Sequence, residues 1–188
     1  MTDDKHASAR VTVDAVILHY DSKRQMLRLL LIERSNPPYQ NSWALPGGFL
    51  DEDDSTLTVA TRRELLEETG MDIAPERFFT CGSFGDLGRD PRGRTVTGAY
   101  VALVTESEAT SVKAGSDARS VSFFDLNDLP ALAFDHGDII HSALLHMVLR
   151  LGSRFEMDNL VPEALLRDLD DAVEVATQLL LGGFRSSI

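Results

Sequence analysis

The decapeptide RRELLEETGM, residues 62–71, carries Glu64, Glu67 and Glu68 immediately ahead of a glycine. Its spacing predicts a helix over residues 55–69, with Asp54 or Ser55 as N-cap and Gly70 as the residue that stops it. That places three carboxylates at the negative end of the helix macrodipole, a penalty of roughly 0.3–1 kcal/mol each, with like-charge repulsion added. At about 100° per residue all three converge on one side. Earlier on that side lie apolar Leu57 and Ala60, so the stripe is expected to face protein. Two readings satisfy this spacing. One is a solvated acidic face with Arg63 pairing to Glu67; the other is a site for hard divalent cations, which prefer oxygen ligands and relieve both penalties.

The surrounding pattern is mixed. Residues 11–20 (VTVDAVILHY) and 27–33 read as two strands of a hairpin with a polar turn at 21–24. Residues 35–48 (SNPPYQNSWALPGG) are dense in turn formers and read as an ordered functional loop, in which Gly47 and Gly48 let the backbone approach an ion or phosphate closely. Strands are expected at 78–84, 95–105 and 121–125, and helices at 138–151 and 162–181. Strands around one helix with further helices late in the chain argue for a layered α/β fold.

The 188 residues suit one domain with a terminal appendage, and a net charge of −12 opposes general adhesion to nucleic acid or to anionic membrane surfaces. The polar start MTDDKHASAR and the lack of a long apolar run make the cytoplasm the expected location and argue against membrane insertion. The single cysteine, Cys81, sits in an apolar strand pattern and reads as a buried structural thiol. His6, His19, His136, His141 and His146 lack zinc-type spacing and read as structural or surface residues.

The stretch GFLDEDDSTLTVATRRELLEETGM, residues 48–71, resembles the Nudix box. The resemblance implies an α/β/α sandwich with a mixed sheet and an additional C-terminal helix. It also implies Mg²⁺ or Mn²⁺ held by Glu64, Glu67, Glu68 and the backbone of Gly47, and hydrolysis of a nucleoside diphosphate linked to another moiety. Arg63 matches the arginine that orients the glutamates, and Leu65 and Met71 fill apolar positions. The box is one residue longer than the usual pattern. Counted from Gly48 the early acidic position falls on Asp54, and counted back from Arg63 it falls on Ser55; the extra residue is expected in the loop 51–54.

VDAVILHY, LLLIERSNPPYQNSWALPGGF, GDLGRDPRGRTVTGAYVAL and LAFDHGDIIHSALL extend the resemblance to the branch containing ADP-ribose pyrophosphatases and NAD-metabolism repressors. They imply ADP-ribose, or a similar small molecule, cleaved to AMP and ribose 5-phosphate, with a ligand-sensing regulator as the alternative. The implied organisation is a flexible N-terminus at 1–10, a Nudix domain at 11–152 and a helical extension at 153–188. That extension faintly resembles fragments of the repressors' DNA-binding module, but Asp168, Asp170, Asp171 and Glu174 would repel phosphates, so it reads as a packing or homodimerisation helix without nucleic-acid contact.

In an acidic chain a pyrophosphate needs local cations. Arg34, Arg89, Arg92 and Arg94 are the candidates, with Arg89 and Arg94 foremost. Tyr39, Trp43 and Phe84 are candidates for stacking on a base or for anchoring the loops. The proton from the attacking water is expected to pass to Glu64 or Glu67, or to Glu106 or Glu108 from outside the box.

Overall fold

The computed structural model describes residues 8–115, 118–151, 166 and 168–183. β1 (Arg10–Asp21) and β2 (Met26–Arg34) form the expected hairpin, followed by β3 (Trp43–Ala44), β4 (Gly47–Phe49) and α1 (Leu57–Thr69). After a 3₁₀ turn at Pro75–Arg77 come β5 (Phe79–Phe84), β6 (Thr95–Val104), α2 (Glu106–Ala109), β7 (Ala118–Asp125), α3 (His136–Leu151) and α4 (Leu169–Leu181).

The seven strands among the described residues join one mixed sheet with the order β3-β2-β1-β6-β5, β4 pairing with β1 and β7 with β2. β1 and β6 run parallel from Arg10↔Thr95 to His19↔Val104, and the other pairings are antiparallel. Because side chains alternate across a strand, β1 feeds two cores. Val16 and Leu18 pack with Ile139, Ile140, Leu144 and Met147 of α3, while Ala15 and Ile17 pack with Leu65 of α1, Met71 and Ile73. The result is an α/β/α sandwich. Burial on both faces explains why the middle of β1, Ala15 to Leu18, is apolar without alternation.

Several boundaries differ from the sequence expectation. Strand β1 already starts at Arg10. The loop 35–48 contains two short strands, because Trp43 and Ala44 pair with Glu33 and Ile32, and Gly47 and Gly48 pair with Asp14 and Val13. Helix α1 begins two residues later than expected, with Thr56 as N-cap accepting from the Val59 amide at 3.2 Å. Strand β7 is longer, paired along β2 down to Arg34↔Ala118. Of the expected helix 162–181, residues 162–165 and 167 lie outside the described residues; from Leu169 onward it is α4, with Leu169, Ala172, Ala176 and Leu179 packed in the α3 core. Among the described residues no helix is long and apolar enough to cross a membrane.

Candidate active site

The end of α1 is anchored by backbone. The Lys113 amide donates to Thr69 O at 2.8 Å, the Gly115 amide to Glu68 O at 2.9 Å, and the Gly70 amide to Leu66 O at 2.9 Å, with Gly70 in the left-handed region at φ 69°. These bonds satisfy carbonyls that the helix itself leaves open and lessen the negative end that burdens the glutamates. At Gly115 the fit is so close that a Cβ would stand 1.8 Å from Glu67 O.

Arg63 organises the carboxylates. Its Nη2 and Nε donate to Asp54 at 2.8 and 3.2 Å, Nη2 also reaches Phe49 O at 3.0 Å, and Nη1 donates to Glu64 Oε1 at 2.8 Å. Asp54 is therefore the early acidic residue of the box, and Ser55 is not. The extra residue is absorbed ahead of the helix without shifting its register. The hydrogen bonds from Arg63 hold the Asp54 carboxyl below its usual range despite burial, and the same bonds raise the guanidinium.

The three glutamates do not share one environment. Glu64 has a side chain only 14% exposed, lying against Gly48, where a Cβ would stand 2.4 Å from Oε1. Burial pushes its carboxyl up, with Arg63 opposing. Glu68 accepts from the Gly47 amide at 2.8 Å; burial, with Glu64 and Asp14 nearby, pushes it up to about 8 against the pull of that amide and of Arg34. Contrary to expectation, Glu67 does not face protein: its side chain is 56% exposed, with Arg63 Nη1 at 3.6 Å. Among the described residues no three His, Cys, Asp or Glu side chains already stand together as a cage for a cation.

Beside Gly47 and Gly48 a pocket opens, lined by Asp14, Arg34, Arg89, Asp90, Arg92, Phe134 and His136 among others. The arginines differ in their commitments. Arg89 is 5% exposed and forks onto Asp135 at 2.7 and 2.8 Å, and Arg92 forks onto Asp90 while stacking on Phe49 and Phe134 at 5.0 and 5.7 Å. Arg34 packs 4.9 Å over Phe134 and donates to Pro38 O at 2.8 Å. Of these three only Arg34 lacks a carboxylate within ion-pair distance, and burial followed by repulsion from Arg92 lowers its pKa. Arg94 is exposed and outside the pocket lining.

Other candidates are accounted for elsewhere. Glu106 pairs with His19 at 2.8 Å, and Glu108 with Arg77 at 2.5 Å while capping Thr105, so neither faces the box. Trp43 meets Phe124 edge-on at 4.6 Å and Phe84 packs on the core, whereas Tyr39 lies tilted against Phe134 at 4.7 Å. Cys81 is buried, its thiol pushed up to about 12 by desolvation. Sequence reasoning missed Asp14, Asp90, Phe134 and Asp135. Asp14 had a signal, as a carboxylate flanked by the apolar Val13 and Ala15 in the interior of a strand.

A NUDIX domain model matches residues 9–143, spanning the box, the glycine turn and the pocket. The chain belongs to the Nudix family. It is 42% identical over 130 residues to an ADP-ribose pyrophosphatase of Methanocaldococcus jannaschii, covering 69% of this chain and 70% of that protein. It is 37% identical over 144 residues to the ADPR responsive transcriptional repressor NtrR of Acinetobacter baylyi, covering 76% of this chain but only 56% of the repressor. The solved Nudix domain of Shewanella oneidensis NrtR complexed with ADP ribose superposes with a TM-score of 0.67 at 32% identity, over 78% of this chain and 94% of that one. The Nudix chain described here is a pyrophosphohydrolase by family.

Proposed function

We propose that this Nudix protein hydrolyses the pyrophosphate of ADP-ribose, or of a similar nucleoside diphosphate derivative, to AMP and ribose 5-phosphate with Mg²⁺ or Mn²⁺. The observation that carries the reading is the half-buried Glu68 carboxylate, met by the Gly47 amide at 2.8 Å and pushed up to about 8, directly beside a pocket walled by Arg34, Arg92 and Phe134. A carboxylate so placed gains from a cation, and its neighbours supply the hard oxygen donors that Mg²⁺ and Mn²⁺ favour. Glu64, Glu67, Glu68 and the backbone of Gly47 would hold the metal; when bound it supplies charge stabilisation at the phosphoryl oxygens and a more acidic water.

The residues of the chain then divide the work. Arg34 offers its guanidinium to phosphate oxygens, since no carboxylate among the described residues pairs with it. Arg92, fixed by Asp90 and two rings, lines the same wall, and Arg89 serves chiefly to hold Asp135 and Asp14. Water attacks one phosphorus and the bridging P–O bond breaks, the departing phosphate keeping the electron pair. Glu67, the most exposed of the three box glutamates, accepts the proton of the water on the carboxylate oxygen not given to the metal, whereas Glu64 is tied to Arg63 at 2.8 Å. The partner is a small molecule and not nucleic acid.

A second reading, a ligand sensor with little turnover, is favoured by the tie between Glu64 and Arg63 and by similarity to the ADPR responsive repressor. Product analysis separates the two: AMP and ribose 5-phosphate released from ADP-ribose only with Mg²⁺ or Mn²⁺ supports hydrolysis. Tight ADP-ribose binding with no AMP released supports the sensor.

A further inference from the structure

We propose that His136 is a positioning residue, whose Nδ1 fixes the Leu45 amide and so sets the glycine turn that holds Glu68. The inference rests on the hydrolase reading above for its kinetic consequence, but its geometry stands apart from any substrate.

Beyond its strand pairings, the segment from Trp43 to Gly47 is held at four further points. Trp43 O accepts from the Ala133 amide, Pro46 O from the Ala15 amide, the Leu45 amide donates to His136 Nδ1, and the Gly47 amide donates to Glu68 Oε2, each at 2.8 Å. Two of these are backbone pairs that any residue could make. The contact at Leu45 depends on one accepting side chain, that of the first residue of α3, 91 positions away in sequence. Leu45 is 2% exposed, so its amide would be left without water if that acceptor were lost.

The ring is held in one tautomer. Accepting from Leu45 requires the lone pair on Nδ1, so the neutral imidazole carries its proton on Nε2, which faces Asp14 Oδ1 at 3.5 Å. Asp14 in turn faces Arg89 at 3.8 Å, and Arg89 forks onto Asp135, the residue before His136. Phe134 lies against the ring at 5.3 Å. The imidazole thus relays the position of α3 and β1 to the turn, and through Gly47 to a carboxylate of α1. A shift of about 1 Å at such a group costs on the order of a hundredfold in rate.

The test uses the full chain with His136→Phe, which keeps the ring but has no acceptor, and His136→Asn, whose Oδ1 stands where Nδ1 was. Three quantities are measured: hydrogen exchange of the Leu45 and Gly47 amides without metal, Mn²⁺ affinity by electron paramagnetic resonance, and kcat and KM for ADP-ribose. In the Phe variant both amides are expected to exchange about tenfold faster or more, Mn²⁺ to bind about 10–100-fold more weakly, and kcat to fall while KM changes less than about twofold. The Asn variant should recover each quantity to within about fivefold of wild type. Wild-type exchange and Mn²⁺ affinity in His136→Phe, or a folded His136→Asn as impaired as the Phe variant, would overturn the proposal. If the Phe variant does not fold, the ¹⁵N spectrum of His136 in the wild-type protein decides, since a proton on Nδ1 contradicts it. Absence of AMP from wild-type enzyme would sink the substrate reading alone, because amide exchange and Mn²⁺ affinity still report on His136.

Discussion

Helices α1 and α4 are each 13 residues long and rich in acids, yet they place charge at opposite ends. In α4, Asp170 and Asp171 occupy the first turn, where the macrodipole favours them, and with Glu174 they are exposed while Leu169, Ala172, Ala176 and Leu179 are buried. In α1 the first turn has no acid, and Glu67 and Glu68 fall in the last turn, with Glu64 and Glu68 partly buried beside glycine. The first arrangement stabilises a helix with no further help. The second requires Arg63, the Gly47 amide and the 113–115 strap to persist at all. Acidity by itself therefore says little; acidity placed against the dipole and out of water marks the site.

The sharpest way to break this contrast is Glu68→Gln, expected to lower kcat for ADP-ribose by at least about a hundredfold while leaving the melting temperature unchanged or higher. The amide oxygen still accepts from Gly47, and a carboxyl penalised by burial is gone. A wild-type rate in that variant would show that the buried carboxylate is incidental. Gly48→Ala comes next, since its Cβ would stand 2.4 Å from Glu64 Oε1. Displacing the end of that flexible side chain should weaken Mn²⁺ binding about tenfold or more while changing stability in urea by no more than about 1 kcal/mol.

Asp54→Asn probes the pH dependence of the same region. The folded carboxyl of Asp54 is held below its ordinary value chiefly by the Arg63 hydrogen bonds, so its stabilisation is complete above the unfolded value of about 3.9 and is lost as pH falls through the lower, folded value. The variant should be less stable near neutrality, and its melting temperature should fall less steeply on acidification below about pH 4. The smallest effect is expected in α4. Asp171→Asn with Glu174→Gln should leave kcat unchanged and lower the melting temperature by no more than about 4 °C; a large loss of activity would erase the distinction between the helices.

The box helix was legible because Glu64, Glu67, Glu68 and Gly70 form a local pattern, and local spacing fixes which side chains share a face. The hairpin and the later helices were legible for the same reason. The short strands β3 and β4 were not, since their pairing with β2 and β1 is long-range and their composition is that of turns. The arginines show the same limit. Sequence could gather Arg89, Arg92 and Arg94 into one loop, but only the carboxylates brought from β1 and the start of α3 commit Arg89 inward, while Arg34, from another strand, faces the pocket.

Neighbours along the chain set one part of the chemistry: an acidic helix end, a glycine turn before it and a family signature, all expressed within a few turns or residues. Which acidic residue partners Arg63, which glutamate is buried, which arginine is left without a carboxylate and what holds the Leu45 amide were decided by tertiary structure. Those properties depend on desolvation and on contacts between segments as far apart as Leu45 and His136, and no local spacing encodes them.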